Sequence, residues 1–134
     1  MIKCVDHIAI QTNDFDVTFD FYNRVLGFSI VKEPFNFKNR RLCYLSAGNI
    51  SIELYSIKEG SKSASAYEGN RGGLDHVAFV VDDIETEIKK LQQEGFRIIK
   101  PPFYPPTNEI NQPRIAFIEG PDKQEIEIRE IKIE

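Results

Sequence analysis

The chain's two histidines sit in two near-identical strings, Asp6-His7-Ile8-Ala9 and Asp75-His76-Val77-Ala78. Each half then closes on a second echo, Ile52-Glu53-Leu54 in the first and Ile126-Glu127-Ile128 in the second. Two imidazoles and two carboxylates form a donor set suited to a divalent ion such as Zn²⁺, Ni²⁺, Co²⁺, Mn²⁺ or Fe²⁺. A closed structural zinc site would draw on cysteine, and Cys4 and Cys43 form no C-x-x-C pair. The mixed N/O set leaves room instead for water or substrate oxygens. A single strand His is more often a hydrogen-bonded structural residue, and a single Glu on an open sheet face is usually only solvated. The pairing, His on the first strand and Glu on the last in both halves, shifts that balance. The expectation is that His7, Glu53, His76 and Glu127 meet as one metal site.

Strands and helices must place these four. Residues 2–11 alternate as a strand, with Cys4, Ile8 and Ile10 on one side and Val5, His7 and Ala9 on the other. Asn13 or Asp14 can cap a helix in which Phe15, Phe19, Tyr22 and Leu26 fall at helical spacing, and Gly27 stops it. Strands are predicted over 28–33, 41–47 and 50–57, with a turn or loop at Pro34-Phe35-Asn36-Phe37 and a hairpin turn at Gly48-Asn49. The small, polar, Gly-rich stretch 58–73 reads as a linker. The pattern then repeats: a strand over 74–81, a helix capped by Asp82 or Asp83 with Ile84, Ile88 and Leu91 as its buried stripe, and Gly95 as its stop. Strands follow over 96–100, 114–119 and 124–131, with a proline-rich loop from Pro101 to Pro113 that cannot be a central strand and is a candidate lid. Both halves thus read β-α-β-β-β, one supersecondary unit used twice. Period-two alternation sets each candidate ligand opposite the aliphatic stripe, so that the four faces can line one concave, partly solvated cavity. Tyr44, Tyr55, Arg114 and Arg129 are further candidates to reach a substrate there.

The bulk composition narrows the function classes. At 134 residues the chain fits one domain, with a first module at 1–57, the linker at 58–73 and a second module at 74–134. A hydrophobic fraction of 41% and a charged fraction of 28% are ordinary for a soluble globular protein. A net charge of −4 and scattered basic residues argue against a nucleic-acid surface. No apolar run suggests a membrane span or a signal peptide, and the two cysteines, read as small hydrophobes, suit a reducing cytoplasm.

These residues resemble the vicinal oxygen chelate superfamily, which includes glyoxalase I, methylmalonyl-CoA epimerases, extradiol dioxygenases, fosfomycin-resistance enzymes and bleomycin-binding proteins. The likeness runs through Asp6-His7-Ile8-Ala9, Phe21-Tyr22, Val25-Leu26-Gly27-Phe28 and Ile52-Glu53-Leu54. It continues through Gly73 to Phe79, Val81-Asp82-Asp83-Ile84, Gly120-Pro121-Asp122 and Ile126-Glu127-Ile128. The resemblance implies an α+β fold of two paired βαβββ modules forming a curved, mostly antiparallel sheet around a central cavity. It carries the role of ligand to a divalent metal ion onto His7, Glu53, His76 and Glu127, and it implies a homodimer. Within the superfamily the chain looks most like glyoxalase I, whose substrate is the hemithioacetal of a 2-oxoaldehyde such as methylglyoxal and a thiol. There Glu127 would be the principal base and Glu53 the second acid/base.

Departures from that pattern keep alternatives open. Glutathione-using glyoxalases carry an Arg four residues after the first His and an Asn four after the first Glu, where this chain has Gln11 and Ile57. Lys123 stands where a Gly usually follows Pro-Asp. The runner-up is a methylmalonyl-CoA epimerase-like enzyme, which the stretch from Ala66 through Gly72-Gly73 resembles. A non-enzymatic small-molecule binding or resistance protein is the third reading, weakened by the complete His/Glu set.

Overall fold

The computed structural model describes residues 1–57, 72–106 and 113–132. The chain falls into two compact units, Met1–Ala64 and Ser65–Glu134. The first runs β1 (His7–Thr12), α1 (Phe15–Asp20), a π-helical turn (Phe21–Val25), β2 (Ser29–Phe37), β3 (Arg40–Ala47) and β4 (Ile50–Ser56). The second runs β5 (Val77–Val81), α2 (Ile84–Gln93), β6 (Ile98–Phe103), β7 (Ile115–Glu119) and β8 (Glu125–Glu130). Each unit is therefore β-α-β-β-β, as the repeat predicts.

The two sheets have the same topology, β1-β4-β3-β2 and β5-β8-β7-β6. In each, first and last strands pair in parallel, and the other two pairings are antiparallel. A parallel neighbour needs a long crossover, which the helix and two intervening strands supply. The consequence for function is direct: the strand that follows His7 or His76 lies beside the strand that carries Glu53 or Glu127.

Each helix covers one sheet face. Phe15, Phe21, Tyr22 and Val25 are buried, as are Cys43, Leu45, Ile52 and Leu54 on the strands. In the second unit Ile84, Ile88 and Leu91 are buried with Ile118, Ile126 and Ile128, and α2 contacts β6 and β8. Fully burying one such aliphatic side chain stabilises by roughly 1.5–3 kcal/mol, so these stripes fix which sheet face is left for chemistry. Asp14 and Asp83 cap the helices, accepting from the backbone N–H of Val17 and Thr86. Gly27 and Gly95, at φ of 80° and 90°, turn the chain out of them where a side chain would be strained.

Four expectations need correction. The first strand begins at His7 rather than residue 2, and Cys4 is exposed, so only Cys43 behaves as a core residue. Burial pushes the Cys43 thiol up to about 11, leaving it protonated and inert at neutral pH. The first helix does not run regularly to Leu26: its last turn widens, with the Leu26 N–H donating to the Phe21 carbonyl at 2.8 Å, which buries Phe21, Tyr22 and Val25 together. Finally, Pro34-Phe35-Asn36-Phe37 and Pro101-Pro102-Phe103 are strand, not loop. Both lie on edge strands next to register irregularities, where a missing N–H costs the ladder little. The turn between β2 and β3 falls instead at Lys38-Asn39, both left-handed, while the expected hairpin turn at Gly48-Asn49 joins β3 to β4. Residues 58–71 of the linker and 107–112 of the proline-rich loop lie outside the described residues.

Candidate functional site

Register decides what shares a face. Ala9 is the cross-strand partner of Glu53, which in turn pairs with Tyr44 on β3, and Gln11 pairs with Tyr55. His7, two residues before Ala9, lies on this same face, away from buried Ile52 and Leu54. The two predicted ligands of the first half do meet: His7 Nε2 stands 3.2 Å from Glu53 Oε2. Two ligands bound to one ion at 2.0–2.2 Å sit about 3.0–3.5 Å apart. The pair therefore has the spacing of adjacent corners of a coordination shell, and its donor types fit a divalent ion.

The other imidazole nitrogen is also accounted for. His7 Nδ1 lies 2.8 Å from Asp6 Oδ2, and His76 Nδ1 lies 2.6 Å from Asp75 Oδ1. A carboxylate on Nδ1 fixes the tautomer and presents Nε2, the arrangement typical of metal-binding histidines. The Asp6 hydrogen bond, aided by the charges of Glu53 and Asp6 and opposed by burial, holds His7 above the ordinary imidazole value. Sequence reasoning registered Asp6 and Asp75 only as letters of the repeat, although an Asp immediately before each His was the signal.

Tyr55, a predicted contact, donates its hydroxyl to Glu53 Oε2 at 3.2 Å. Burial, and then the Glu53 charge, lift that hydroxyl above its ordinary range, so it remains a donor at neutral pH. Tyr44 is next to Glu53 in register and packs edge-on against Phe35 with centroids 5.7 Å apart. Gln11 accepts from Arg40 Nη2 at 3.0 Å, and that guanidinium lies over the Tyr55 ring.

In the second unit Glu127 is flanked in register by Ala78 and Phe117. It is 7% exposed, less solvated than its face was expected to be. Arg129 Nη1 stands 3.4 Å from Glu127 Oε2, and the His76 ring packs edge-on against Phe117 at 5.7 Å. Arg114, the fourth predicted contact, is engaged elsewhere, with Glu85 at 2.8 Å and Glu130 at 3.2 Å. Among the described residues, no three His, Cys, Asp or Glu side chains converge as a ready-made metal cage. Each unit presents one His anchored by the preceding Asp and one Glu as candidate ligands.

The family model for the Glyoxalase/Bleomycin resistance protein/Dioxygenase superfamily matches residues 5–128. The chain is similar to the uncharacterized protein YaeR of Escherichia coli, 31% identical over 96% of this chain and 97% of that one. It is 33% identical to the mitochondrial methylmalonyl-CoA epimerase of Dictyostelium discoideum, over 72% of this chain and 60% of the epimerase. A probable lactoylglutathione lyase of Synechocystis is 27% identical over 91% of both chains. Among solved structures, a glyoxalase family protein from Enterococcus faecalis superposes with a TM-score of 0.73 at 26% identity, covering 96% of this chain and 98% of that one.

Proposed function

The chain belongs to the Glyoxalase/Bleomycin resistance protein/Dioxygenase superfamily, and we propose that within it this protein is a metal-dependent lyase of the glyoxalase I kind. Its substrate is the hemithioacetal of a 2-oxoaldehyde such as methylglyoxal and a thiol, and its product is a 2-hydroxyacyl thioester. The observation that carries this reading is the Asp-anchored His beside a Glu in the first unit, with the same Asp-His anchor built into the second. His7, Glu53, His76 and Glu127 would hold one divalent ion, all four from one chain or shared across a homodimer. When bound, the ion supplies Lewis-acid stabilisation of the negative charge that develops on the substrate oxygens.

The residues divide the proton work. Glu127 takes the proton from C1, the C–H electron pair moves into the enediolate, and the same carboxyl returns the proton to C2. Its low exposure keeps water from competing for that proton. Glu53, held between the Tyr55 hydroxyl and His7 Nε2, moves the hydroxyl proton between the two substrate oxygens.

A second reading, a methylmalonyl-CoA epimerase-like enzyme, shares the proton abstraction. It is favoured by the 33% identity to the Dictyostelium epimerase and by Gln11 and Ile57 at the two positions where glutathione-using members carry Arg and Asn. One experiment separates the readings. The chain is stripped of metal, reloaded with Ni²⁺, Co²⁺, Zn²⁺ or Mn²⁺, and assayed with methylglyoxal plus glutathione or other thiols, and in parallel with methylmalonyl-CoA. Thiol-dependent isomerisation lost in Glu127→Gln supports the lyase. Exchange at methylmalonyl-CoA alone selects the epimerase. A chain that takes up no metal overturns both and leaves a small-molecule binding protein.

A further inference from the structure

The sheet face that carries His7 and Glu53 does not end at Tyr55. Alternation continues it to Gln11 on β1 and, through the pairing of Leu42 with Tyr55, to Leu42 and Arg40 on β3. The Arg40 guanidinium carbon lies 4.5 Å over the Tyr55 ring centroid, while the Tyr55 hydroxyl reaches Glu53. Two hydrogen bonds hold it there, from Nε to the Ser56 carbonyl and from Nη2 to Gln11 Oε1, both at 3.0 Å. One aromatic ring therefore separates a fixed cation from a carboxylate of the candidate site.

Every one of these partners is neutral. The neighbouring Arg41 is engaged by Asp16 at 2.8 Å, but among the described residues no carboxylate pairs with Arg40. Of the five N–H donors of an arginine, these two bonds leave three, including both on Nη1, for an incoming acceptor. A ring face steadies a guanidinium without neutralising it. Arg40 also lines an open cleft of about 530 Å³ together with Lys38 and Ser56. Lys38 brings a second cation, its Nζ 5.3 Å from the Phe37 ring centroid. A strut tying β1 to β4 would need the two bonds but not the bare charge.

Reach selects which part of a substrate arrives there. Tyr55 and Ser56 lie two and three residues past Glu53, about 7–10 Å along a strand that rises about 3.3 Å per residue. The three carbons of methylglyoxal span only about 3 Å, at about 1.5 Å per bond. With the reacting carbons at Glu53, only the thiol arm extends to Arg40. We propose that Arg40 is a specificity-determining residue that binds a carboxylate at the far end of the thiol, which makes the thiol partner of the 2-oxoaldehyde an acidic one. The proposal rests on the lyase reading of the His7–Glu53 face, and all its residues belong to the first unit.

The test is calorimetric titration of S-methylglutathione, whose capped sulfur is no thiolate ligand, into the full chain with and without Zn²⁺. Its diethyl ester, with the same reach but no carboxylates, is titrated in parallel. The unaltered chain is compared with Arg40→Gln, Arg40→Lys and the exposed control Arg24→Gln, each verified as folded by thermal unfolding. In the unaltered chain the acid should bind at least tenfold more tightly than the ester. That gap should close in Arg40→Gln, persist in part in Arg40→Lys and stay whole in Arg24→Gln. Loss of a strut alone would weaken acid and ester alike. In turnover of methylglyoxal with glutathione, Arg40→Gln should raise KM at least tenfold and leave KM for the diethyl ester unchanged. No binding, equal binding of acid and ester by the unaltered chain, or a gap that survives in Arg40→Gln would overturn the proposal. Arg40-dependent binding without isomerisation of any hemithioacetal would uphold this residue and sink the lyase reading. Isomerisation indifferent to the charge of the thiol would do the reverse.

Discussion

Asp6 and Asp75 hold imidazole Nδ1 of His7 and His76 at 2.8 and 2.6 Å, and so decide what Nε2 can do. Removing the carboxylate frees the ring to rotate and to exchange tautomers, and such outer partners are typically worth 10–100-fold in metal affinity. Asp6→Ala and Asp75→Ala should each weaken Zn²⁺ or Ni²⁺ binding by about that factor, measured by competition with a chromogenic chelator. An affinity unchanged in both would show that the histidines need no anchor. Tyr55→Phe probes the other side of Glu53: the hydrogen bond is lost while the ring over which Arg40 lies is kept. It should lower kcat more than metal affinity, which parallel titration and steady-state kinetics would separate. At this scale the repeated strings already held the candidate ligands and, unread, the Asp beside each His, and alternation correctly turned Glu53 away from Ile52 and Leu54. The destination of Arg114 was not legible, because its choice of Glu85 and Glu130 depends on how α2 docks on the sheet.

Elements hold these residues in place, and the end of β8 shows how. Three residues beyond Glu127, Glu130 accepts the Ile84 N–H at 3.0 Å and pairs with Arg114, tying the start of α2 to the strand. The Ile84 N–H first, and then Arg114, keep the Glu130 carboxyl below its ordinary value of 4.5. A depressed folded value means a contribution fully present above the unfolded value and lost as pH falls through the folded one. Glu130→Gln keeps an acceptor for Ile84 but loses the charge. Its stability deficit should therefore be largest at neutral pH and shrink below about pH 4.5, followed by urea unfolding across pH. A deficit independent of pH would assign the role to packing alone. The α1 cap is simpler: Asp14→Ala should cost about 1 kcal/mol in the same assay. Periodicity found both helices and their caps because an amphipathic stripe with Asp before it is a strong local signal. It could not find the π-helical turn, which serves the joint burial of Phe21, Tyr22 and Val25. Nor could it pass a strand through Pro34 or Pro101-Pro102, since only the sheet order reveals that β2 and β6 are edges.

For the molecule as a whole, the question is whether two half-sets serve one ion. The duplicated βαβββ pattern was legible because each copy must bury its own stripe under its own helix, and that demand repeats in the sequence. The sharing of an ion imposes no comparable periodicity, so it must be measured through linkage. An ion that binds only the folded chain stabilises it by RT ln(1 + [L]/Kd), about 2.7 kcal/mol at a hundredfold excess over Kd. If His7, Glu53, His76 and Glu127 hold one ion, the stoichiometry is one per chain. His7→Ala and His76→Ala should then each abolish nearly the whole metal-induced rise in Tm, because the three remaining ligands bind too weakly at the same free metal. Two separate His–Glu sites would instead give two ions per chain, with each substitution removing only its own part of the rise. Differential scanning calorimetry against free Zn²⁺ or Ni²⁺, with metal analysis of the same samples, distinguishes the two. A half-sized loss in each variant would break the four-ligand assignment, whereas full loss from either half would make the two copies a single functional unit.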